Sequence, residues 1–263
     1  MLRFKNLGSG SAGNATLIEA SSGLQKTYVL IDCGIRPRDL DQRLALAGVE
    51  VTQIQAIFIT HEHSDHIGHA KSLAKKTNAA VWMSHGTWMA SSALQWGLPP
   101  EQCNMARDHE TIAIGDLCIT PFTVPHDARE PLQLTCTDGD ARLGILTDLG
   151  HASSHVIESL KNCNALLLET NHDEEMLSQS QYPYFLKQRI AGPLGHLSNT
   201  ASAQLLAKLD HEKLNLVVAA HLSEKNNSKD KALESWSQHI SLDTKLVGVA
   251  DPLKGCEWYC VGL

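Results

Sequence analysis

A dense group of possible metal ligands follows the hydrophobic run 54–59. Three histidines and one aspartate occur within six residues, namely His61, His63, Asp65 and His66. The run ahead of them predicts a buried strand, and the turning backbone at the end of a strand can direct neighbouring side chains at one point. Imidazole and carboxylate groups together suit zinc, iron or manganese. Any one of these residues alone could be an ordinary surface residue. Four of them directly after a buried strand predict a metal site.

Histidine is the unusual feature of the composition. The chain of 263 residues holds 14 histidines, more than its phenylalanines, tryptophans and tyrosines together. Hydrophobic residues make up 43% and charged residues 19%, a globular profile that excludes disorder, collagen and coiled coil. The seven cysteines contain no CxxC pair, so we expect reduced thiols rather than a disulfide framework or a cysteine-based zinc site.

Charge and hydropathy restrict the location and the partners. The net charge of −7 argues against a general nucleic-acid coat protein but leaves room for a local basic groove. No apolar run approaches the roughly 18 to 20 residues of a membrane span, and the start of the chain lacks the apolar stretch of a signal peptide. We therefore expect a cytoplasmic protein that does not enter a membrane.

Two successive halves of the chain show the same order of predicted elements. Each begins with a strand meander, at 2–31 and at 112–146, and continues with alternating strands and helices. Helices are predicted at 39–47, 69–76, 87–96, 153–160 and 199–209, the last capped by Ser198 or Asn199. The pattern favours an α/β fold with two mixed sheets face to face and helices outside, in a single domain over residues 1–263.

The motif HxHxDH at 61–66 resembles that of the metallo-β-lactamase superfamily, whose fold is an αββα four-layer sandwich. The superfamily's later ligands are a histidine, an aspartate and a histidine after successive strands, and His126, Asp148 and His221 occupy such positions. The resemblance implies two divalent metal ions, zinc or manganese, held by seven side chains: His61, His63 and His126 on the first, Asp65, His66 and His221 on the second, and Asp148 bridging both. Such a pair of ions activates water, so the implied reaction is hydrolysis, with Asp65 orienting the attacking water.

The residue types at positions 66 and 148, and the length of the segment between Asp148 and His221, restrict the substrate class that the resemblance implies. Residue 66 is His rather than Arg or Cys, and Asp148 stands where many metallo-β-lactamases carry a cysteine, so antibiotic hydrolysis is not expected. The interval from Asp148 to His221 is longer than in glyoxalase-type thioesterases of the superfamily. Phosphodiesterases of the superfamily use this interval for substrate-binding and proton-donor motifs.

Residues in this interval resemble tRNase Z and, more closely, the YycJ/WalJ-type branch of the superfamily. The matching segments are 8–14 (GSGSAGN), 169–172 (ETNH), 182–183 (YP), 187–190 (KQRI), 195–199 (GHLSN) and 221–227 (HLSEKNN). The branch implies a DNA exonuclease acting 5′ to 3′, with DNA and mismatch-repair proteins as partners. The tRNase Z resemblance implies that His196 donates the proton to the leaving group and that Glu169 holds its imidazole. Packing or capping is the alternative role for His196.

Substrate contacts are expected from six further residues: Tyr182, Lys187, Arg189, Ser198, Asn199 and Ser223. Ser198 and Asn199 can instead be helix caps, and Lys187 and Arg189 can instead form a solvated face. The loop 8–14 can supply turn positions or touch substrate. His172 is a support for the site, a substrate contact or a surface residue.

Two functions of different classes remain open. The first is a metal-dependent phosphodiesterase acting on nucleic acid, and the alternative is a small-molecule hydrolase of a phosphodiester, a cyclic nucleotide or a thioester. The acidic net charge favours a small substrate, because grip on nucleic acid normally comes from a basic surface. The motifs between Asp148 and His221 favour nucleic acid.

Overall fold

Within residues 1–209, 212–241 and 246–262, which the computed structural model describes, fourteen strands form. They are β1 (Leu2–Gly8), β2 (Ala15–Ser22), β3 (Gln25–Ile31), β4 (Ile54–Phe58), β5 (Ala80–Met83), β6 (Cys103–Met105), β7 (Ile112–Ile114), β8 (Leu117–Thr123), β9 (Leu132–Thr137), β10 (Arg142–Leu146), β11 (Ala165–Glu169), β12 (Leu216–Ala220), β13 (Leu246–Val249) and β14 (Tyr259–Cys260).

Nine α-helices lie in the same ranges. They are α1 (Pro37–Leu46), α2 (Ser64–Ile67), α3 (Ala70–Thr77), α4 (His85–Ala90), α5 (Ser154–Leu160), α6 (Glu174–Gln179), α7 (Tyr184–Ile190), α8 (Asn199–Leu209) and α9 (Lys229–Ser237), with short 3₁₀ helices at Val51–Gln53, Ala93–Trp96 and Pro100–Gln102. None of the helices in this part of the chain has both the length and the apolar character needed to cross a membrane. All seven cysteines lie in the described ranges, and none takes part in a disulfide bond.

The strands form two seven-stranded mixed sheets, with orders β14-β1-β2-β3-β4-β5-β6 and β13-β12-β11-β10-β9-β8-β7. In the first sheet the pairs up to β2–β3 are antiparallel and the pairs from β3–β4 onward are parallel. The second sheet has antiparallel pairs from β7 to β10 and parallel pairs from β10 to β13. The repeated change from meander to parallel crossover is the pattern that the sequence predicts for both halves.

Three hydrophobic clusters fill the spaces between four layers. The central cluster holds inward-facing side chains of both sheets, such as Phe58 of β4 and Leu167 of β11. The outer face of the first sheet packs with α1 and α3, and the outer face of the second packs with α5, α8 and α9. Leu167 and its neighbour Leu168 belong to different clusters because successive strand residues point to opposite faces. The αββα four-layer sandwich expected from the sequence is confirmed.

One predicted helix is divided. The expected helix 87–96 is α4, ending at Ala90, followed by a separate 3₁₀ helix from Ala93. Ser92 between them has a φ of 52°, in the left-handed region, which stops the α-helical hydrogen-bond ladder.

The cap of α8 is Ser198 rather than Asn199, because the Ser198 hydroxyl accepts a hydrogen bond from the Ala201 N–H at 3.2 Å.

Candidate metal centre and active site

The residues singled out as metal ligands all follow the carboxyl ends of strands. His61 follows β4, His126 follows β8, Asp148 follows β10 and His221 follows β12. In the second sheet β10, β11 and β12 are parallel, so their carboxyl ends meet at one edge. The fold therefore brings residues up to 160 positions apart in sequence, from His61 to His221, to a common place.

The first cluster consists of three imidazoles. The Nδ1 atom of His63 lies 3.0 Å from Nε2 of His61 and 3.4 Å from Nε2 of His126. Nitrogen ligands about 2.0–2.1 Å from one tetrahedral ion are separated by about 3.3 Å. Both distances are therefore those of ligands that share one ion, and all three nitrogens lie within 4.8 Å of one another.

The second cluster combines carboxylates with imidazoles. Nε2 of His66 lies 3.5 Å from Oδ2 of Asp65 and 3.2 Å from Oδ2 of Asp148. Asp65, His66 and His221 offer ligand atoms that all lie within 4.8 Å of one another. The other oxygen of Asp148 is 3.8 Å from Nε2 of His126, so this carboxylate spans the two clusters.

Asp148 also has an unsatisfied atom. Its Oδ2 is buried and makes no hydrogen bond, although its neighbour His66 lies within ion-pair distance. A buried carboxylate oxygen without a hydrogen-bond donor is costly unless a cation meets it. The donor set and this oxygen both fit divalent metal ions.

Hydrogen bonds orient three of the histidine rings, those of His66, His126 and His221, so that their Nε2 atoms face the centre. Carbonyl oxygens of Gly195 and Thr147 accept from Nδ1 of His126 and His221, respectively, and a carbonyl can only accept. Asp32 accepts from Nδ1 of His66 at 2.8 Å. In each case a proton on Nδ1 is directed at the acceptor, which leaves Nε2 as the ring atom that faces a ligand.

The ionisation states are set by burial and by Asp148. Burial lowers the pKa of His61 well below its ordinary value, and burial likewise lowers the pKa of His126, so both rings are neutral. Burial opposes protonation of His66 and His221 as well, but Asp148 and the other nearby carboxylates together outweigh it. They raise the pKa values of His66 and His221 to about 9 and about 10. Burial would raise the pKa of Asp148, yet these imidazoles hold it well below its ordinary value. The site therefore gathers positive charge around an ionised carboxylate.

A second arrangement, the Glu169–His196 pair, lies beside the metal cluster. Nδ1 of His196 lies 2.7 Å from Oε1 of Glu169, and the other carboxylate oxygen accepts the backbone N–H groups of Leu149 at 2.8 Å and Leu197 at 3.1 Å. Burial would lower the pKa of His196, but Glu169 and then Asp148 raise it above its ordinary value. Glu169 therefore stabilises the protonated form of His196, which lines the same cleft as Asp148.

That cleft has a volume of about 430 Å³ and contains three of the six residues expected to touch substrate. Tyr182, Arg189 and Ser223 line it together with the candidate ligands His63, Asp65 and His221. The other three lie outside its lining. Lys187 donates to the Ser178 carbonyl at 2.6 Å, Ser198 caps α8, and the buried Asn199 amide is paired on both atoms with Asn227. A substrate contact by Asn199 would require breaking that buried pair.

The glycine-rich loop 8–14 makes hydrogen bonds to two of the candidate ligands. Ser9 Oγ accepts the backbone N–H of His221 at 2.8 Å, and the Asn14 side chain donates to Oδ2 of Asp65 at 3.2 Å. The backbone N–H of Asn14 also donates to the Asp65 carbonyl at 2.7 Å. Ser11 lines the cleft itself. The loop therefore does more than turn the chain between β1 and β2.

Sequence reasoning missed Asp127. One of its oxygens lies 3.5 Å from Nε2 of His126 and 3.9 Å from Nε2 of His63, and the other accepts from Nε of Arg189 at 2.6 Å. Burial would raise the pKa of Asp127, but Arg189 and His126 lower it, so the carboxylate is ionised at the mouth of the cleft. Its position directly after His126 was the available signal.

Two further residues were also missed or left open. Asp32, at the end of β3, accepts from both Thr60 and His66 and fixes the start of the ligand motif. His172 is 2% exposed, and its backbone pairs with Ser198, so the surface alternative for this histidine is excluded.

Comparisons with known proteins identify the family of the chain. A family model described as a beta-lactamase superfamily domain matches residues 27–219. Exodeoxyribonuclease YycJ of Bacillus anthracis is 32% identical over 250 residues, covering 95% of this chain and 92% of that protein. Exodeoxyribonuclease WalJ of Streptococcus pneumoniae is 33% identical over 249 residues, covering 94% of this chain and 91% of that protein.

Solved structures show the same fold. The metallo-β-lactamase fold protein YhfI from Bacillus subtilis superposes with a TM-score of 0.72 at 16% identity, covering 99% of this chain and 100% of that chain. The chain therefore belongs to the beta-lactamase superfamily, as a metal-dependent hydrolase of the metallo-β-lactamase fold and the YycJ/WalJ type.

Proposed function

We propose that this protein is an exonuclease that cleaves DNA phosphodiester bonds with two divalent ions, zinc or manganese. The observation that carries the proposal is the convergence of the metal-ligand clusters and the Glu169–His196 pair on one cleft. The names of the YycJ and WalJ relatives support DNA as the substrate. Resemblance to that branch supports the 5′ to 3′ direction and a link to mismatch repair.

Seven side chains would hold the ions. The proposed assignment is His61, His63 and His126 on one ion, Asp65, His66 and His221 on the other, and Asp148 on both. When bound, two such ions supply a nucleophilic water at neutral pH and stabilise charge on the phosphoryl oxygens.

The chain's own residues then position the substrate and move protons. Asp65 borders the cleft and can accept a hydrogen bond from the attacking water. Arg189 stands at the mouth, where its guanidinium can hold a backbone phosphate. His196 donates its Nε2 proton to the departing sugar oxygen, which is a poor leaving group without one. Glu169 keeps that imidazole protonated and aimed at the cleft.

A small-molecule phosphodiesterase is the second candidate. Its support is the cleft volume of about 430 Å³, within the roughly 300–1,000 Å³ range of small-ligand sites, together with the acidic Asp65 and Asp127 at its rim. A cyclic nucleotide would fit such a site and meet the same ligands.

One substrate panel separates the two candidates. End-labelled single- and double-stranded DNA, matching RNA and a cyclic dinucleotide are incubated with protein loaded with manganese or with zinc. The proposed function requires DNA to be shortened from its 5′ end, and Asp65→Ala to abolish that activity. Cleavage of the cyclic dinucleotide alone would replace the proposal by the second candidate. With DNA labelled at its 3′ end, early release of labelled mononucleotide would show degradation from the 3′ end, which is the opposite polarity.

A further inference from the structure

Three further side chains that can ligate a metal meet at the surface, beside the second sheet. Asp108 and His109 lie in the loop between β6 and β7, and His155 lies in the first turn of α5. One carboxylate oxygen and one ring nitrogen from each histidine all lie within 4.8 Å of one another. None of these three residues, here called the surface cluster, lines the active-site cleft or shares a residue with the buried clusters. The surface cluster is therefore separate from the metal centre.

The geometry of the surface cluster resembles that of the first cluster in the metal centre. Oδ1 of Asp108 lies 3.1 Å from Nε2 of His155, close to the separation of about 3.3 Å between two ligands of one tetrahedral ion. The rings of His109 and His155 meet edge to face, with centroids 4.9 Å apart at 88°. The three ring pairs of the first cluster have centroids 4.6 to 5.1 Å apart at angles of 72° to 80°. Both clusters therefore bring imidazoles together in the same way.

Hydrogen bonds to β8 hold the loop that carries two of these ligands. The Thr123 N–H donates to Oδ1 of Asp108 at 2.8 Å, and the His109 N–H donates to the Pro121 carbonyl at 2.8 Å. His109 has a φ of 57°, a left-handed conformation that costs energy for a residue with a side chain. On the other side, Ser153 caps the N-terminus of α5. The three groups are thus arranged before an ion arrives, which lowers the entropic cost of binding one.

The donor set of the surface cluster selects the class of ion. Two imidazoles and one carboxylate suit zinc, whereas magnesium and calcium prefer oxygen ligands. The side chains of Asp108 and His155 are 38% and 37% exposed, so water can complete the coordination. Arg107, the cation next to Asp108 in the chain, forms an ion pair with Glu110 at 3.4 Å. The negative charge of Asp108 therefore remains for a bound cation.

We propose that Asp108, His109 and His155 form a third metal site, which binds one zinc ion at the surface. The ion ties the loop between β6 and β7 to α5, and both contact Thr123 at the end of β8. The inference goes beyond the proposed nuclease function, because the third ion stabilises this region and takes no part in hydrolysis. Three exposed ligands hold an ion less tightly than the buried clusters do. Dialysed protein therefore keeps two ions, and the third binds when zinc is added.

The test titrates zinc into protein that has been loaded with zinc and dialysed, and calorimetry counts the ions that bind. Wild type should take up one further ion, and His155→Ala, His109→Asn and Asp108→Asn should each lower the affinity for it by about tenfold or more. Asparagine tolerates the left-handed backbone at position 109, and Asp108→Asn keeps an oxygen to accept the Thr123 N–H. The control His239→Ala removes an exposed histidine outside the surface cluster and should bind the third ion as wild type does.

Thermal unfolding measures what the third ion stabilises. Added zinc should raise the melting temperature of the dialysed wild type and of His239→Ala but not that of His155→Ala, because an ion that binds only the native state stabilises it. Magnesium should raise none of them. Histidine ring signals followed by NMR during the zinc titration of wild type give a readout that needs no variant. Those of His109 and His155 should shift as the third ion binds.

The outcomes do not depend on the proposed function, because no step of the test uses DNA. Protein that cleaves no DNA but loses the third ion in the three variants would retain the surface site. Absence of a third binding event in wild type would overturn the site. Equal affinity of wild type and the three variants, or zinc-induced shifts at histidines other than His109 and His155 alone, would also overturn it.

Discussion

Glu169 and His196 are 27 residues apart in sequence and are joined by a 2.7 Å hydrogen bond from Nδ1 to Oε1. Two backbone N–H groups fix the other oxygen of Glu169, so the carboxylate cannot turn away from the ring. His196 makes no helix cap, because Ser198 has that role. Because Glu169 engages Nδ1, Nε2 is the ring nitrogen of His196 that remains available to the cleft.

Replacing His196 by alanine should lower kcat on DNA by about 10²-fold or more, the range of a general acid. A bis-nitrophenyl phosphodiester, whose leaving group needs no proton, should be spared most of this loss. Steady-state kinetics on both substrates, with metal content determined in parallel, checks the prediction. Equal losses on both substrates, or loss of metal from the variant, would remove His196 from the mechanism.

Removing a metal ligand from one cluster should lower the metal content in a countable way. The wild-type protein should bind two divalent ions per chain, and His126→Ala should retain about one because it disrupts the cluster of His61 and His63. Elemental analysis after dialysis measures the stoichiometry, with His151→Ala, on a histidine outside the clusters, as control. A wild-type content of one ion would contradict the assignment of Asp148 as a bridge.

Arg189→Ala should weaken binding of DNA and reduce its dependence on salt. If the guanidinium neutralises one phosphate, the slope of log affinity against log salt should fall by about one. Arg107→Ala removes an exposed arginine that does not line the cleft and serves as the control. An unchanged salt slope for Arg189→Ala would make its ion pair with Asp127 purely structural.

Gly34→Ala should disturb the ligand motif. A Cβ atom at this position would lie 1.7 Å from the carbonyl oxygen of Asp65, which is backbone and cannot rotate away. We expect a loss of about 2–3 kcal/mol in the free energy of unfolding, together with a lowered metal content. Gly23→Ala, where no atom lies within 4 Å, should show only the cost of a positive φ. Denaturant unfolding measures the loss in the free energy of unfolding for both variants. Equal losses would contradict the prediction.

Stability should depend on pH through Glu19, far from the metal centre. This fully buried carboxylate accepts two hydrogen bonds from Arg3, at 2.9 and 2.7 Å. Burial would raise its pKa, but Arg3 lowers the pKa of Glu19 below its ordinary value of 4.5. Since the native state favours the ionised form, the stabilisation is complete above the unfolded pKa and is lost as pH falls through the lower native pKa.

Glu19→Gln should therefore cost about 2 kcal/mol at pH 7 and progressively less below the pKa of the unfolded state. Urea unfolding at a series of pH values gives the difference between the two proteins. A difference that stays constant from pH 7 down to the acid transition would show that the ion pair adds nothing beyond packing.

The sequence alone determined the architecture and the candidate ligands. Strands such as β9, β10 and β7 have the predicted bounds because hydrophobic runs between turn signals specify buried strands locally. The same locality made the ligand motif visible, since His61 to His66 follow one strand directly. The helices and strands without a prediction are short or weakly amphipathic; they are α2, α6, α7, α9, β6, β13 and β14. The two residues of β14 become a strand only because β1 offers an open edge for pairing.

The tertiary structure decided how the ligands are held and which neighbours matter. Asp127, Asp32 and Asn14 gain their roles from contacts across 34 to 62 residues of sequence, which no local pattern encodes. Packing also separated residues that the motifs treated alike. The buried Asn199 side chain is hydrogen-bonded to Asn227, whereas the Arg189 side chain lines the cleft. Local hydrophobic patterning selects the elements, but only the meeting of strand ends from both sheets fixes which polar atoms face one another.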